Sequence, residues 1–213
     1  MCGNGIRCVG KFLYDHGMVD INEKDEITIE TLSGIKKLKA YTSGGKVNRL
    51  RVDMGKAILD PKEIPVVLDG DKVVDRPVEI AGKNYNITCV SMGNPHCVVF
   101  MDDIDNLDIE TVGPEFENDK LFPERVNTEF VTVLDDHTIK MRVWERGSGE
   151  TWACGTGACA VAVAACENGF CKKGEDIKIK LKGGDLIINY TDETVYMTCL
   201  LYTSPSPRDR TRS

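Results

Sequence analysis

Two cysteines open the same short motif at two distant places in this 213-residue chain. Cys2 begins Cys-Gly-Asn-Gly, and Cys154 begins Cys-Gly-Thr-Gly. A thiol has a pKa of about 8.5, so both of its protonation states are accessible near neutral pH. Inverting an α-carbon needs a base on one face and an acid on the other. We therefore interpret Cys2 and Cys154 as a candidate acid/base pair acting on one carbon.

The glycines of both motifs suit a helix start that faces an anion. Glycine lets the backbone turn tightly and bring bare N–H groups to a carboxylate, and a helix N-terminus lowers the pKa of a thiol. These donors would also stabilise the negative charge that grows as the proton leaves. One such motif by itself is more often a tight turn with a buried thiol. Two copies at matched positions favour the functional interpretation.

The elements around the motifs repeat as well. Gly17 and Gly169 each follow their cysteine by the same interval and are typical of helix C-terminal caps. The first helix carries apolar residues at helical spacing, namely Ile6, Val9, Phe12 and Leu13. The second is apolar all round over residues 158–165, which predicts a fully buried helix.

A predicted hairpin follows each helix. Its first strand is Glu26–Thr31 in one copy and Asp176–Leu181 in the other, with Gly34 and Gly184 as the turn residues. Before Cys154 the sequence predicts further strands at residues 86–92, 97–101, 130–134 and 139–145.

The repeat also predicts the domain organisation. Only one residue precedes Cys2, so the first copy is expected to lack about 76 residues and to fold poorly as written. We expect residues 1–60 to be the remainder of an N-terminal domain, 61–77 a Pro- and Gly-containing joint, and 78–198 the C-terminal domain. The Ser/Pro/Arg-rich residues 199–213 are predicted to be a disordered, non-native tail.

The composition limits the kinds of molecule that the chain is expected to bind. A net charge of -7 argues against nucleic acid or an anionic membrane and favours a small-molecule substrate. The longest apolar run, residues 158–166, falls short of the ~20 residues that span a bilayer, and we predict a cytoplasmic protein. The nine cysteines include no Cys-x-x-Cys pair and the three histidines are scattered, so no metal site is predicted. No lysine adjoins either motif, so nothing requires pyridoxal phosphate, and no cofactor is predicted.

Five motifs in order make the sequence resemble the diaminopimelate epimerases from residue 1 to about residue 198. They are Met-Cys-Gly-Asn-Gly-Ile-Arg-Cys at 1–8, Gly-Asn-Pro-His at 93–96, Arg-Val-Asn-Thr-Glu-Phe at 125–130, Trp-Glu-Arg-Gly at 144–147 and Ala-Cys-Gly-Thr-Gly at 153–157. The resemblance implies an isomerase that interconverts LL- and meso-2,6-diaminoheptanedioate without a cofactor, for lysine and cell-wall synthesis. It implies an α/β fold of the α+β type, with two pseudo-symmetric domains that each wrap a curved, mostly antiparallel sheet around a central helix. The first domain is expected to be incomplete, and a homodimer is left open.

The resemblance also assigns the site. It makes Cys2 and Cys154 the acid/base pair, with His96 and Glu145 assisting the thiols. The implied substrate-binding residues are Gly3, Asn4, Asn94, Asn127, Glu145, Arg146, Gly155 and Thr156. Asparagine amides supply both donors and acceptors, and an arginine can bind a carboxylate through two nitrogens. Further Asn and Gln contacts of the family belong to the leading segment that is expected to be missing.

Three other kinds of function compete with this interpretation. Proline racemases also use two cysteines, but their first motif is similar to Met-Cys-Gly-His-Gly. This chain has Asn4 where that motif has His. Phenazine-biosynthesis isomerases share the architecture without paired catalytic thiols. From a different class, a thiol redox or metal-binding protein would also have many cysteines, although the absence of Cys-x-x-Cys disfavours it.

Overall fold

A computed structural model describes residues 3–20, 25–31 and 34–200, without the side chains of residues 3, 4 and 200. Within these residues the chain forms three α-helices and twelve β-strands. They belong to two compact units. The smaller unit comprises Asn4–Val52 and residues 198–200, and the larger unit comprises Gly3 and Asp53–Met197.

The smaller unit pairs one helix with a three-stranded antiparallel meander. Helix α1 is Gly3–Asp15, and the strands are β1 (Glu26–Thr31), β2 (Gly34–Ser43) and β3 (Lys46–Asp53). Gly10 faces Leu38 and Leu50, both fully buried, so α1 packs against the sheet along this side. Val9 and Phe12, two of the apolar residues at helical spacing in α1, are 46% and 52% exposed. They lie away from the side on which Gly10 meets the sheet.

The larger unit is built on a longer sheet. Its strands are β4 (Arg76–Ile80), β5 (Lys83–Ser91), β6 (Pro95–Phe100), β7 (Asn127–Asp135), β8 (Thr138–Glu145), β9 (Gly149–Thr151), β10 (Asp176–Leu181), β11 (Gly184–Tyr190) and β12 (Val195–Leu200). The strand order is β12-β11-β10-β8-β7-β6-β5-β4, and β9 pairs with β8. The β6–β7 and β8–β10 pairs are parallel, whereas β4–β5, β5–β6, β7–β8, β8–β9 and β10–β11 are antiparallel.

Two helices complete the larger unit: α2 (Ile109–Glu117) and α3 (Gly155–Glu167). Helix α3 is apolar all round and buried from Gly157 to Ala165, because strands β5, β6, β7, β10 and β11 all pack against it. This confirms the prediction of a buried helix after the second motif. None of the helices in the described ranges is long and apolar enough to cross a lipid bilayer.

Helices α1 and α3 have the same length, 13 residues, and end in the same way. In α1, Gly17 has a φ of 66° and donates its N–H to the Tyr14 carbonyl, while Met18 donates to Leu13. In α3, Gly169 has a φ of 79° and donates to Cys166, while Phe170 donates to Ala165. Both are Schellman caps, which require a left-handed residue that glycine adopts without strain. The predicted caps are confirmed.

The hairpins repeat too. Strand β1 pairs with β2 from Thr31↔Gly34 outward, and β10 pairs with β11 from Leu181↔Gly184 outward. The first strand of each hairpin has the bounds expected from the sequence. The helix-plus-hairpin repeat is therefore present in three dimensions, once in each unit.

The predicted joint and tail differ from the observed packing. Residues 61–77 lie inside the larger unit, where Ile64 and Val73 are completely buried in the same core as Phe116 and Phe130. Strand β12 includes Cys199 and Leu200, the first two residues of the predicted tail, and 201–213 lie outside the described residues. The domain boundaries stay predictions.

Candidate active site

Cys154 is the N-cap residue of α3. Its backbone is extended, with φ −121° and ψ 110°, and its Sγ accepts the Gly157 N–H at 3.3 Å. The Thr156 hydroxyl lies 3.5 Å from the same sulfur. Gly155 and Thr156 occupy the first two helical positions, whose N–H groups have no carbonyl partner within a helix. They are donors suited to a carboxylate, as the motif predicts.

The pKa of the Cys154 thiol is raised to about 12. Burial is the largest cause, because Cys154 is only 6% exposed, and the negative charges of Glu129 and Glu145 add to it. Hydrogen bonds from Thr156 and the Gly157 N–H lower the pKa but are outweighed. The donors at the helix start therefore lower the pKa of the Cys154 thiol, as expected. The net pKa shift is nevertheless upward, which is the opposite of the expected direction. Cys154 is a thiol at neutral pH, the form of an acid.

His96 and Glu129 form a completely buried pair beside this cysteine. The Nδ1 of His96 lies 2.7 Å from Oε1 of Glu129, and both side chains are 0% exposed. His96 is opposite Asn127 in the parallel β6–β7 pairing, and Glu129 follows Asn127 by two residues on the same face of β7. His96 Nε2 and Glu129 Oε2 have no hydrogen-bond partner within the part of the chain that the structure describes.

Gly157 lies between the His96–Glu129 pair and Cys154 and is close to both. A Cβ at Gly157 would lie 2.5 Å from Oε1 of Glu129 and 3.2 Å from Sγ of Cys154. The carboxylate and the thiol thus meet at the same glycine. Glu129 is not among the predicted site residues, although the two-residue strand period from Asn127 in the motif at 125–130 points to it.

Asn127 and Arg146 are connected directly. The Oδ1 of Asn127 accepts the Arg146 N–H at 3.0 Å, and its Nδ2 donates to the Pro95 carbonyl at 3.2 Å. The Arg146 guanidinium donates from Nη1 to the Glu124 carbonyl at 2.9 Å. Asn127 therefore holds the backbone of the turn after β8 in place.

Glu145 lies at the end of β8, before the same turn. Its Oε1 accepts a hydrogen bond from the Thr151 hydroxyl on β9. Its charge contributes to the raised pKa of Cys154, which is consistent with the expected assistance to the thiol.

A second residue outside the predicted set, Glu117 of α2, secures that turn. Its Oε1 accepts from the Gly147 N–H at 2.9 Å and from Arg125 Nη1 at 3.0 Å, and its Oε2 accepts from Trp144 Nε1 at 2.7 Å. Glu117 is 6% exposed. No motif or spacing in the sequence marks it, because its partners come from other elements.

Asn94 connects the turn between β5 and β6 to α3. Its Nδ2 donates to the Thr156 hydroxyl at 3.4 Å, and the preceding Gly93 has a φ of 90°. Two predicted substrate-binding residues are thereby brought together at the helix start.

The remaining predicted residues belong to the first motif. Cys2 lies outside the described residues. Gly3 and Asn4 begin α1, and the Asn4 side chain is not described. Across the described ranges, no group of three or more His, Cys, Asp or Glu side chains is arranged to hold a metal ion.

Comparison with known proteins identifies the family. The family model described as diaminopimelate epimerase matches residues 88–200. The diaminopimelate epimerase of Agathobacter rectalis is 52% identical over 207 residues, which cover 93% of this chain and 71% of that protein. The chain belongs to the diaminopimelate epimerase family. The epimerase of Desulfovibrio desulfuricans is likewise 52% identical over 206 residues, covering 93% of this chain and 70% of that protein.

Solved structures similar to this epimerase-family chain agree on the fold. A probable proline racemase from Agrobacterium radiobacter matches with a TM-score of 0.71 at 15% identity, covering 97% of this chain and 69% of that one. A phenazine biosynthesis protein from Bacillus anthracis matches with a TM-score of 0.60 at 16% identity, covering 93% and 72%. The predicted family and the predicted α/β fold with two pseudo-symmetric domains are confirmed. The predicted enzyme class, an isomerase rather than a redox or metal-binding protein, is confirmed as well.

Proposed function

We propose that this chain is a diaminopimelate epimerase that converts LL-2,6-diaminoheptanedioate to the meso form without a cofactor, in lysine and peptidoglycan-precursor synthesis. The observation that carries the proposal is the Cys154 thiol at the N-cap of α3, in a chain 52% identical to an enzyme of that name. A protonated, buried sulfur beside bare N–H groups suits proton delivery to a carbon next to a carboxylate.

The proposed reaction uses two sulfurs. The Cys2 thiolate removes the proton from one face of the α-carbon, and the Cys154 S–H donates a proton to the other face. One proton is thus lost and one gained by the substrate, Cys2 ends as a thiol and Cys154 as a thiolate. The reverse reaction exchanges the two roles.

Helix starts bind the reacting end in this proposal. The N–H groups of Gly155 and Thr156 bind the α-carboxylate from the start of α3, and Gly3 and Asn4 do so from the start of α1. As negative charge spreads onto the carboxylate during proton removal, these donors stabilise it.

Side chains around the turn bind the rest of the substrate. Asn94 and Asn127 supply amide donors and acceptors for the distal ammonium and carboxylate groups, Arg146 binds a carboxylate, and Glu145 is a further substrate contact. Support comes from the connections between these residues: Asn127 holds the Arg146 backbone, and Asn94 holds Thr156.

Solvent exchange tests the proposal. In D₂O, the full-length protein should introduce deuterium at the α-position of LL-diaminopimelate, detected by NMR. Cys154→Ala and Cys2→Ala should each lower turnover by at least about a thousandfold, since each removes an acid/base group.

Cys8→Ala is the matched control, because Cys8 is an exposed cysteine of α1. It should turn over as the unmodified chain does. Undiminished exchange in Cys154→Ala or Cys2→Ala would contradict the two-thiol mechanism. Exchange into proline, with none into diaminopimelate, would favour the racemase alternative instead.

The partner in this proposal is a small molecule, with neither nucleic acid nor a membrane involved. The acidic composition supports this. A cytoplasmic location and a homodimer stay predictions, and light scattering of the purified protein tests the second.

A further inference from the structure

The buried carboxylate of Glu129 lies against the first turn of α3 on the side of the Cys154 sulfur. We propose that Glu129 is a positioning residue for the reaction: held by His96 and packed on Gly157, its charge keeps Cys154 in the thiol form. The inference rests on the proposed function, and it assigns Cys154 as the acid of the resting protein.

Geometry leaves the carboxylate little freedom. His96 Nδ1 contacts Oε1 at 2.7 Å, and Oε1 also fills the space that a Cβ of Gly157 would take. The same glycine donates its N–H to the Cys154 sulfur. A displacement of Glu129 toward α3 is blocked by backbone, and a displacement away from it breaks the contact with His96.

Stability does not explain this pair. Both side chains are 0% exposed, and each has one polar atom without a partner within the described residues. Such a buried polar pair often contributes no more to stability than apolar residues of the same volume, because the desolvation cost offsets what the contact between the partners returns. The neighbouring helix α3 is apolar all round, so an apolar pair would suit the surroundings better. A role in the chemistry accounts for its presence.

The charged and titratable groups around Cys154 come from three strands. Glu129 lies on β7, Glu145 at the end of β8, and His96 on β6 behind Glu129. The helix itself contributes only the Thr156 hydroxyl and the Gly157 N–H, which favour a thiolate. The pKa of Glu129 is raised, chiefly by burial and also by the charge of Glu145, while the contact with His96 opposes that rise and so favours the ionised carboxylate. Of the two carboxylates, Glu129 has the larger effect on Cys154.

The consequence concerns the return step. After Cys154 has given its proton to the substrate, its thiolate lies beside Glu129 with little water around it. Repulsion between the two negative charges favours recovery of a proton by the sulfur. In the resting protein, Glu129 thus favours a protonated Cys154, and Cys2 is then available as the base.

Alkylation tests this without any substrate. The rate at which iodoacetamide labels Cys154, located by peptide mass spectrometry, is measured between pH 6 and 11 in the unmodified protein and in Glu129→Gln. Glutamine keeps the size and an acceptor for His96 but removes the charge. At a fixed pH within this range, we expect Cys154 to be labelled roughly tenfold faster in Glu129→Gln than in the unmodified protein.

Glu167→Gln is the control. Glu167 is a largely buried carboxylate near the other end of α3, paired with Lys72 at 2.9 Å. Its loss should leave the Cys154 profile unchanged. An unchanged profile in folded Glu129→Gln, or an equal shift in Glu167→Gln, would overturn the inference.

The unmodified protein decides the question even if Glu129→Gln does not fold. A Cys154 midpoint below about pH 9, near that of an ordinary thiol, would overturn the inference. A labelling rate that is still rising at pH 11, together with faster labelling at a fixed pH in Glu129→Asp, whose charge is drawn back from Gly157, would support it. Since no turnover is measured, failure of this test is distinct from failure of the epimerase assignment.

Discussion

Gly157 is glycine because of its neighbours rather than its backbone. Its φ is not among the positive values found at the capping and turn glycines. What excludes a side chain is the Glu129 carboxylate, 2.5 Å from the position of a Cβ. The sequence motif suggested that this glycine gives backbone freedom. The structure shows instead that it lets a buried acid reach the first turn of α3.

Gly157→Ala should therefore destabilise the protein by overpacking, by about 1–3 kcal/mol in the free energy of unfolding measured with urea. Epimerase turnover should fall with it, because the added methyl displaces Glu129. The same substitution in a Glu129→Asp background should cost less, since the shorter side chain leaves space for the methyl. An equal cost in both backgrounds would show that the carboxylate is not what excludes the side chain.

Helix α2 positions the site from a distance. Gly113 packs so closely on Trp144 that a Cβ would lie 2.3 Å from the indole ring. Glu117, one turn later, receives hydrogen bonds from Trp144 and from Gly147. The helix thereby fixes the end of β8 and the turn that carries Glu145 and Arg146.

Glu117→Ala should lower kcat/KM for diaminopimelate by about ten- to a hundredfold, because small displacements of positioned groups are costly. Steady-state kinetics well below the melting temperature separate this effect from unfolding. Glu115→Ala on the exposed side of α2 is the control and should change little. Unimpaired kcat/KM in folded Glu117→Ala would mean that the turn holds its shape without α2.

The two units of the molecule repeat one local design, a capped 13-residue helix followed by a glycine-turned hairpin. Their helices differ in surroundings. In α3 and just beyond it, burial raises the pKa of three thiols: Cys154 to about 12, Cys166 to about 12 and Cys171 to about 11. The larger unit thus depends on several thiols remaining protonated.

Alkaline pH should therefore destabilise the folded chain. A thiol whose pKa is higher in the folded than in the unfolded state contributes stability below the unfolded value of about 8.5, and this is lost as pH rises through the folded value. The free energy of unfolding, from urea titrations under reducing conditions, should fall between pH 8.5 and 11.

Cys166→Ala should make this decrease shallower, because one raised thiol is removed. Val163→Ala is the control, since it removes buried volume from α3 without removing a titrating group. It should lower stability by a similar amount at every pH. A slope equally steep in Cys166→Ala and the unmodified protein would refute the contribution of that thiol.

Structural features that depend on residues adjacent in sequence could be predicted from the sequence. The thiol at the start of α3, the capping glycines Gly17 and Gly169, and the bounds of β1 and β10 all follow from short patterns. Helix caps and hairpin turns are decided by the torsions of a few adjacent residues, so the repeat and the family motifs are visible without coordinates.

Properties that depend on residues far apart in sequence were decided by the tertiary structure. These include the direction of the Cys154 pKa shift, the contact between His96 and Glu129, and the role of Glu117. Burial in the segment 61–77 and exposure of Phe12 were likewise not predictable. The physical reason is shared: desolvation, charge and packing are set by what surrounds a side chain in space. The sequence by itself indicated two matched cysteine motifs at two predicted helix starts, and the fold decided that Cys154 is buried beside a carboxylate that keeps its proton in place.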